Sequence, residues 1–186
     1  MKERGAKAVS RHVALLRGIN VGGKNMLPMK ELAGLFGAAG CEEVTTYIQS
    51  GNVIFSANDR VVQRLEEEIA KQISNRFGLK VPVVIRSAAE LEEAVRGNPF
   101  FKAGVAEELL HVAFLADRPA ANLVAGLDVA RSSPDEFAVM GREIYMKLVT
   151  GAAHTKLTNA YFDSKLKTVS TMRNWRTVLK LAEMMR

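Results

Sequence analysis

Only one cysteine and three histidines occur in the 186 residues of this chain, and aromatic side chains make up 6% of it. Cys41 alone cannot close an internal disulfide, and histidines at 12, 111 and 154 give no zinc-ligand spacing, so no metal site is expected. Cys41 follows Gly40 where a helix should end, without the electropositive setting that activates a thiol, and reads as inert. No apolar run approaches the roughly 18 residues of a membrane-spanning helix, and the leader Met1 to Ser10 is charged rather than signal-like. No membrane partner and a cytoplasmic location are therefore expected. No hydrolytic triad, paired-carboxylate motif or cofactor signature is found, so no cofactor is expected.

What is present is globular in character: 48% hydrophobic and 25% charged residues. The formal net charge of +6 is unevenly spread. Residues 1–30 hold seven Lys or Arg against one acid, residues 142–186 hold nine against three, and the middle carries ten bases and sixteen acids. Two basic ends can serve an anionic ligand or can pack on the acidic middle through ion pairs.

Periodicity gives an element order. His12 to Ile19 reads as a buried strand, and a glycine-rich loop leads to a helix that starts at Pro28 and ends at Gly40. Val44 to Gln49 and Asn52 to Ser56 form a hairpin around Ser50-Gly51. Val61, Leu65, Ile69, Ile73 and Phe77 mark a second helix between Asn58 or Asp59 and Gly78, and Val81 to Arg86 is again strand-like. Ser87 to Glu90 has capping-box form and opens a short helix towards Gly97. Strand Leu110 to Ala116, a weak helix Asn122 to Ala130, strands Phe137 to Met140 and Ile144 to Val149, and a helical C-terminus then repeat the outline. His111 to Ala116 matches His12 to Arg17 at four of six positions. The expected fold is α+β, a tandem pair of ferredoxin-like (βαββαβ-type) subdomains with antiparallel sheets: residues 1–86, a linker helix and loop at 87–108, and residues 109–186.

The loop Gly18-Ile19-Asn20-Val21-Gly22-Gly23-Lys24-Asn25 fits the phosphate-loop pattern except that asparagine stands where the magnesium-binding Ser or Thr belongs, and its helix begins late. Converging glycine amides, Lys24, Asn20 and Asn25 still suit a phosphate or carboxylate, whereas the plainer reading is a tight strand-to-helix turn. In a ferredoxin-like sheet the first and third strands are antiparallel neighbours, which brings Gln49, Ser50 and Asn52 to the edge holding Arg17, Asn20, Gly22, Gly23, Lys24 and Asn25. The same Ser-Gly-Asn sequence is also ordinary turn chemistry.

Thr171 to Arg176 is expected to open an amphipathic helix with Trp175, Val178, Leu179, Ala182 and Met185 on its apolar side and Arg173, Arg176 and Lys180 on a basic face. That face pairs with the acidic middle or with a phosphate. His12 and His111 begin apolar strands and read as structural; His154 stands in a polar loop with Lys156 and Asn159, without an acid partner.

Ala14 to Asn25, joined to Tyr47 to Phe55, resembles the domain of unknown function 1697 family. The likeness continues through Phe77-Gly78, Val81-Pro82-Val83, Asn98-Pro99-Phe100, Lys156 to Asn159 and Arg173 to Val178. Phe162 to Thr171 fits the pattern less well. The resemblance implies a mostly bacterial cytosolic protein of two α+β subdomains and brings no established activity, substrate or catalytic residue.

Three functional readings remain open. The first is binding of a phosphate-bearing small molecule or nucleic acid at the loop and hairpin edge, with Arg173 and Arg176 as further cations. An RNA-recognition module is excluded because the first and third strands offer only Phe55 for stacking. The second is an enzyme acting on a small anionic substrate, with Lys24, Arg17 or His154 in its site. The third is a non-enzymatic interaction protein, including a homo-oligomer that pairs through exposed sheet.

Overall fold

The computed structural model describes residues 9–186; the leader cations Lys2, Arg4 and Lys7 lie outside the described residues. The chain divides after Ala88 into two compact units. The segment 87–108, expected to join the halves, groups from Ala89 onward with the second unit, where the Tyr145 hydroxyl donates to the Ala94 carbonyl at 2.9 Å.

The first unit runs β1 (Ser10–Leu16), α1 (Met29–Ala38), β2 (Glu42–Tyr47), β3 (Asn52–Ala57), α2 (Asp59–Phe77) and β4 (Val83–Ser87). Its antiparallel sheet has the order β2-β3-β1-β4. Alternate residues of the sheet, Ala14, Leu16, Val53, Phe55, Val83 and Ile85, pack against Leu32, Leu35 and Phe36 of α1 and Leu65, Ile69 and Ile73 of α2. The four-residue spacing expected for α2 is the face it buries. The Asn58 side chain caps its first turn by accepting from Val61 N, and Gly78 closes it at φ 68°, as the sequence signals require.

After α3 (Ala88–Gly97) and a short α4 (Pro99–Lys102), the second unit repeats the order as β5 (Leu110–Leu115), α5 (Ala121–Ala125), β6 (Glu136–Met140), β7 (Glu143–Lys147), α6 (Asn159–Leu166) and β8 (Ser170–Asn174), with α7 (Trp175–Met184) following. Its sheet order, β6-β7-β5-β8, is that of the first. Two expectations are corrected. Helix α5 ends by Gly126 instead of reaching Ala130, because a turn follows in which Ala130 N donates to Asp128 Oδ1 at 3.0 Å. Thr171 to Asn174 is strand, not the start of a helix: β5 takes β8 as its second neighbour, pairing Val112 with Arg173. Helix α7 begins only at Trp175, where the Asn174 side chain accepts from Thr177 N at 2.8 Å.

The repeat extends to chemistry. Val13 pairs with Arg86 as Val112 pairs with Arg173, and His12 with Ser87 as His111 with Asn174. Both arginines are buried. The α2 carboxylate Glu66 accepts from Ile85 N of β4 at 2.7 Å, and the α6 carboxylate Asp163 accepts from Ser170 N of β8 at 2.8 Å.

Gly51 shows how tightly the first sheet closes. Its φ is 79°, and a Cβ there would lie 2.8 Å from Leu16 Cβ and 3.0 Å from Ile19 Cδ1. Gly51→Ala is expected to cost about 2 to 4 kcal/mol from left-handed strain and overpacking together, measured by urea unfolding. A variant as stable as the parent would refute that account.

In the second unit Asp135 is buried and accepts from Thr150 N at 2.8 Å, Thr150 Oγ1 at 2.6 Å and Ser132 Oγ at 2.9 Å. Burial alone would push its carboxyl up, but the hydrogen bonds from Thr150, Thr155 and Ser132 outweigh it and hold the pKa below the usual value. A depressed folded pKa gives stability that is present above the unfolded value of about 3.9 and lost as pH falls through the folded value. Asp135→Asn is therefore expected to lower unfolding stability by about 2 kcal/mol at pH 7, with the gap to the parent narrowing below about pH 4. A gap that does not change with pH would contradict this.

Candidate functional site

The loop after β1 folds on itself. Gly22 and Gly23 lie at φ 55° and 73°, the two positive values that a type I′ turn needs, and Lys24 N donates to Val21 O at 2.9 Å across them. One residue further out on each side, Asn20 N donates to Asn25 O at 3.1 Å. The result is a miniature hairpin with Lys24 exposed beside its turn. The two carboxamides complete it. Asn20 accepts from Leu27 N at 2.8 Å and donates to Leu27 O at 2.9 Å, while Asn25 Nδ2 donates to Gly18 O at 2.8 Å. The amides of Asn20, Lys24 and Leu27 thus have partners within the loop, which differs from an open cradle of amides around a phosphate.

The expected meeting of loop and hairpin takes place, and it runs through the backbone. Asn20 Nδ2 also donates to Gln49 O at 2.9 Å, and Leu16 N donates to Gly51 O at 2.8 Å. Asn52 pairs with Leu15, two residues before Arg17, and is fully buried. Its carboxamide donates to Tyr47 O at 3.1 Å and Ser50 Oγ at 3.0 Å, tying the turn that it ends.

A concave site does form in this unit, displaced from the glycine turn. A cleft of about 540 Å³ is lined by Arg17, Gly18 and Asn25 from the loop, Ala70 and Ser74 from α2, and Lys80, Val81 and Pro82 ahead of β4. Its geometry follows from one strand pairing. β1 and β4 are antiparallel, Leu16 is opposite Val83, and Arg17 N donates to Pro82 O at 3.0 Å, so the residues before β4 lie beside the end of β1. Lys80 and Ser74 were not singled out from sequence. The topological step that brought the start of β3 to Arg17 brings the start of β4 there too, and would have found Lys80.

The other candidate cations lie elsewhere. Arg173 is on β8, not on a basic helix face; it is buried, donates to Thr171 Oγ1 at 2.9 Å and Met172 O at 2.8 Å, and desolvation lowers its pKa to about 10. Arg176 is exposed on α7 and Trp175 is in the core. His154 is exposed in the turn after β7. Burial, with the Glu68 charge added, pushes the Cys41 thiol up to about 11, which keeps it protonated and unreactive at neutral pH. Among the described residues no His, Cys, Asp and Glu group could hold a metal ion, and no helix is long and apolar enough to cross a membrane.

No curated protein matches the chain. A solved structure, that of conserved bacterial protein SP0830 from Streptococcus pneumoniae, is similar in fold, with a TM-score of 0.71 at 24% identity over 96% of this chain and 100% of that one. The profile described as protein of unknown function (DUF1697) matches residues 9–145, from the start of β1 into β7. With most of its length matched, this chain belongs to the DUF1697 family.

Proposed function

We propose that the chain binds a phosphate-bearing small molecule in the cleft of its first unit. One observation carries the reading: the pairing of β1 with β4 brings two cationic residues, Arg17 and Lys80, to the lining of one concavity that Ser74 also lines. Arginine supplies a planar fork for two phosphate oxygens, lysine a point charge, and serine a neutral donor. Ala70, Val81 and Pro82 add an apolar wall for the uncharged part of a ligand. The volume lies within the roughly 300 to 1,000 Å³ typical of small-molecule sites, which favours a nucleotide or sugar phosphate over a nucleic-acid strand. Binding is favoured over catalysis because the lining includes no His, Asp or Glu to move a proton. In this reading Lys24, Asn20, Gln49, Ser50 and Asn52 shape the edge and do not hold the ligand.

The scaffold is a tandem pair of ferredoxin-like halves. The common βαββαβ order, the shared sheet order and the equivalent Arg86 and Arg173 support that reading.

A thermal-shift screen of nucleotides, sugar phosphates, inorganic phosphate and short oligonucleotides at low salt tests the site. Small phosphate compounds are expected to raise Tm, Lys80→Ala or Arg17→Ala to weaken binding about 10-fold by calorimetry, and Lys24→Ala to leave it within about 2-fold. Equal affinity in Lys80→Ala would dismiss the cleft. A shift with oligonucleotides alone, steeply salt-dependent, would move the reading to nucleic acid.

A further inference from the structure

The two sheets have four open edges, β2, β4, β6 and β8, and edge strands present unpaired backbone groups that invite another chain. Three of the four carry a blocking device. On β4 and β8 a helix carboxylate occupies an outward amide, Glu66 on Ile85 N and Asp163 on Ser170 N. On β2 the register shifts between Glu42 and Thr45, Glu43 takes a φ of 49°, and its carboxylate accepts from Ser56 Oγ at 2.7 Å. A bulge of this kind twists an edge out of line for further pairing.

β6 has none of these among the described residues. All five of its residues pair with β7 without a shift, from Glu136 opposite Lys147 to Met140 opposite Glu143. The strand contains no proline or lysine, and its one acid, Glu136, is paired with Lys147 at 2.7 Å. Its apolar side is unfinished: Phe137 and Val139 pack on the core of the second unit and are only partly buried, and Met140, on the other face, is exposed.

We propose that β6 is the self-association edge of this protein, pairing antiparallel with β6 of a second copy about a two-fold axis at Ala138. The strand's own sequence singles out that occupant. Centring the pair on Ala138 sets Phe137 opposite Val139 of the second copy, an aromatic and β-branched combination that stabilises cross-strand contacts. Glu136 falls opposite Met140, so the acids are kept apart, and the smallest side chain of the strand sits on the axis. Alternate residues of β6 turn their N–H and C=O groups away from β7, and these groups satisfy one another across the axis. The partly buried Phe137 and Val139 then lie inside a core continuous across two sheets. A five-residue edge buries less than the roughly 1,200 Å² of a stable interface, so the dimer forms with rising concentration and is not obligate.

Sedimentation velocity on the full chain over a wide concentration range, with matched variants, tests the pairing. Ala138 faces its own copy about 4.5 to 5.5 Å away at the Cα atoms, so a charge there meets a like charge. The parent is expected to shift from monomer to dimer with concentration. Ala138→Lys alone and Ala138→Glu alone are each expected to weaken dimerisation at least 10-fold, and an equimolar mixture of the two to restore it. Circular dichroism and thermal melting of each variant separate lost pairing from lost folding. A parent that stays monomeric at every concentration, or folded variants that dimerise as the parent does without need of mixing, would overturn the proposal.

Discussion

The amide of Leu16 donates to Gly51 and the amide of Arg17 to Pro82, and on these two bonds at the end of β1 the arrangement of the first unit's edge depends. A central antiparallel strand leaves its last residues between two neighbours, one on each side. One bond draws in the hairpin turn, whose Gly51 has no room for a side chain against Leu16 and Ile19. The other draws in Lys80 to Pro82 and so builds the cleft. The glycine-rich loop leaves the same point, and its carboxamides are spent on holding its own hairpin and the Gln49 carbonyl. Polar residues crowd this edge because an irregular backbone there has carbonyls and amides to satisfy. Arg17 and Lys80 line the cleft beside this edge.

The second unit repeats these solutions with different residues. A buried arginine stands opposite a central-strand valine in both sheets, and a helix carboxylate covers one sheet edge in both, as glutamate in the first and aspartate in the second. Charge buried or aimed at backbone is costly unless its partners recur with it, and here the positions recur as a set. The units differ at the opposite edge, bulged in β2 and regular in β6. The two units therefore share an element order and a sheet order and differ in the regularity of this edge.

Much of the fold was legible because its signals are local. The four-residue apolar spacing of α2, the Asn58 cap, the Gly78 stop and the Ser50-Gly51 turn each act within a few residues, and each formed where expected. Thr171 to Asn174 was misread for a physical reason. Threonine, methionine and arginine ahead of a tryptophan satisfy a helical pattern, while the strand they form is imposed by β5, which needs a second neighbour, and by Asp163, which takes the Ser170 amide. Neither partner is near in sequence. Arg173 went from an exposed cation to a buried one with that single change of element.

The sequence by itself determined the element order of the first half, much of its repeated outline in the second and the edge at which loop and hairpin meet, because periodicity, caps and turn residues are written in consecutive positions. Only the tertiary structure decided which polar groups at that edge are occupied and which cations share a cavity. Hydrogen-bond partners such as Asn20 with Gln49, and neighbours such as Arg17 with Lys80, are separated by tens of residues. They are joined by strand pairing, whose free energy belongs to the whole sheet and to no one segment of it.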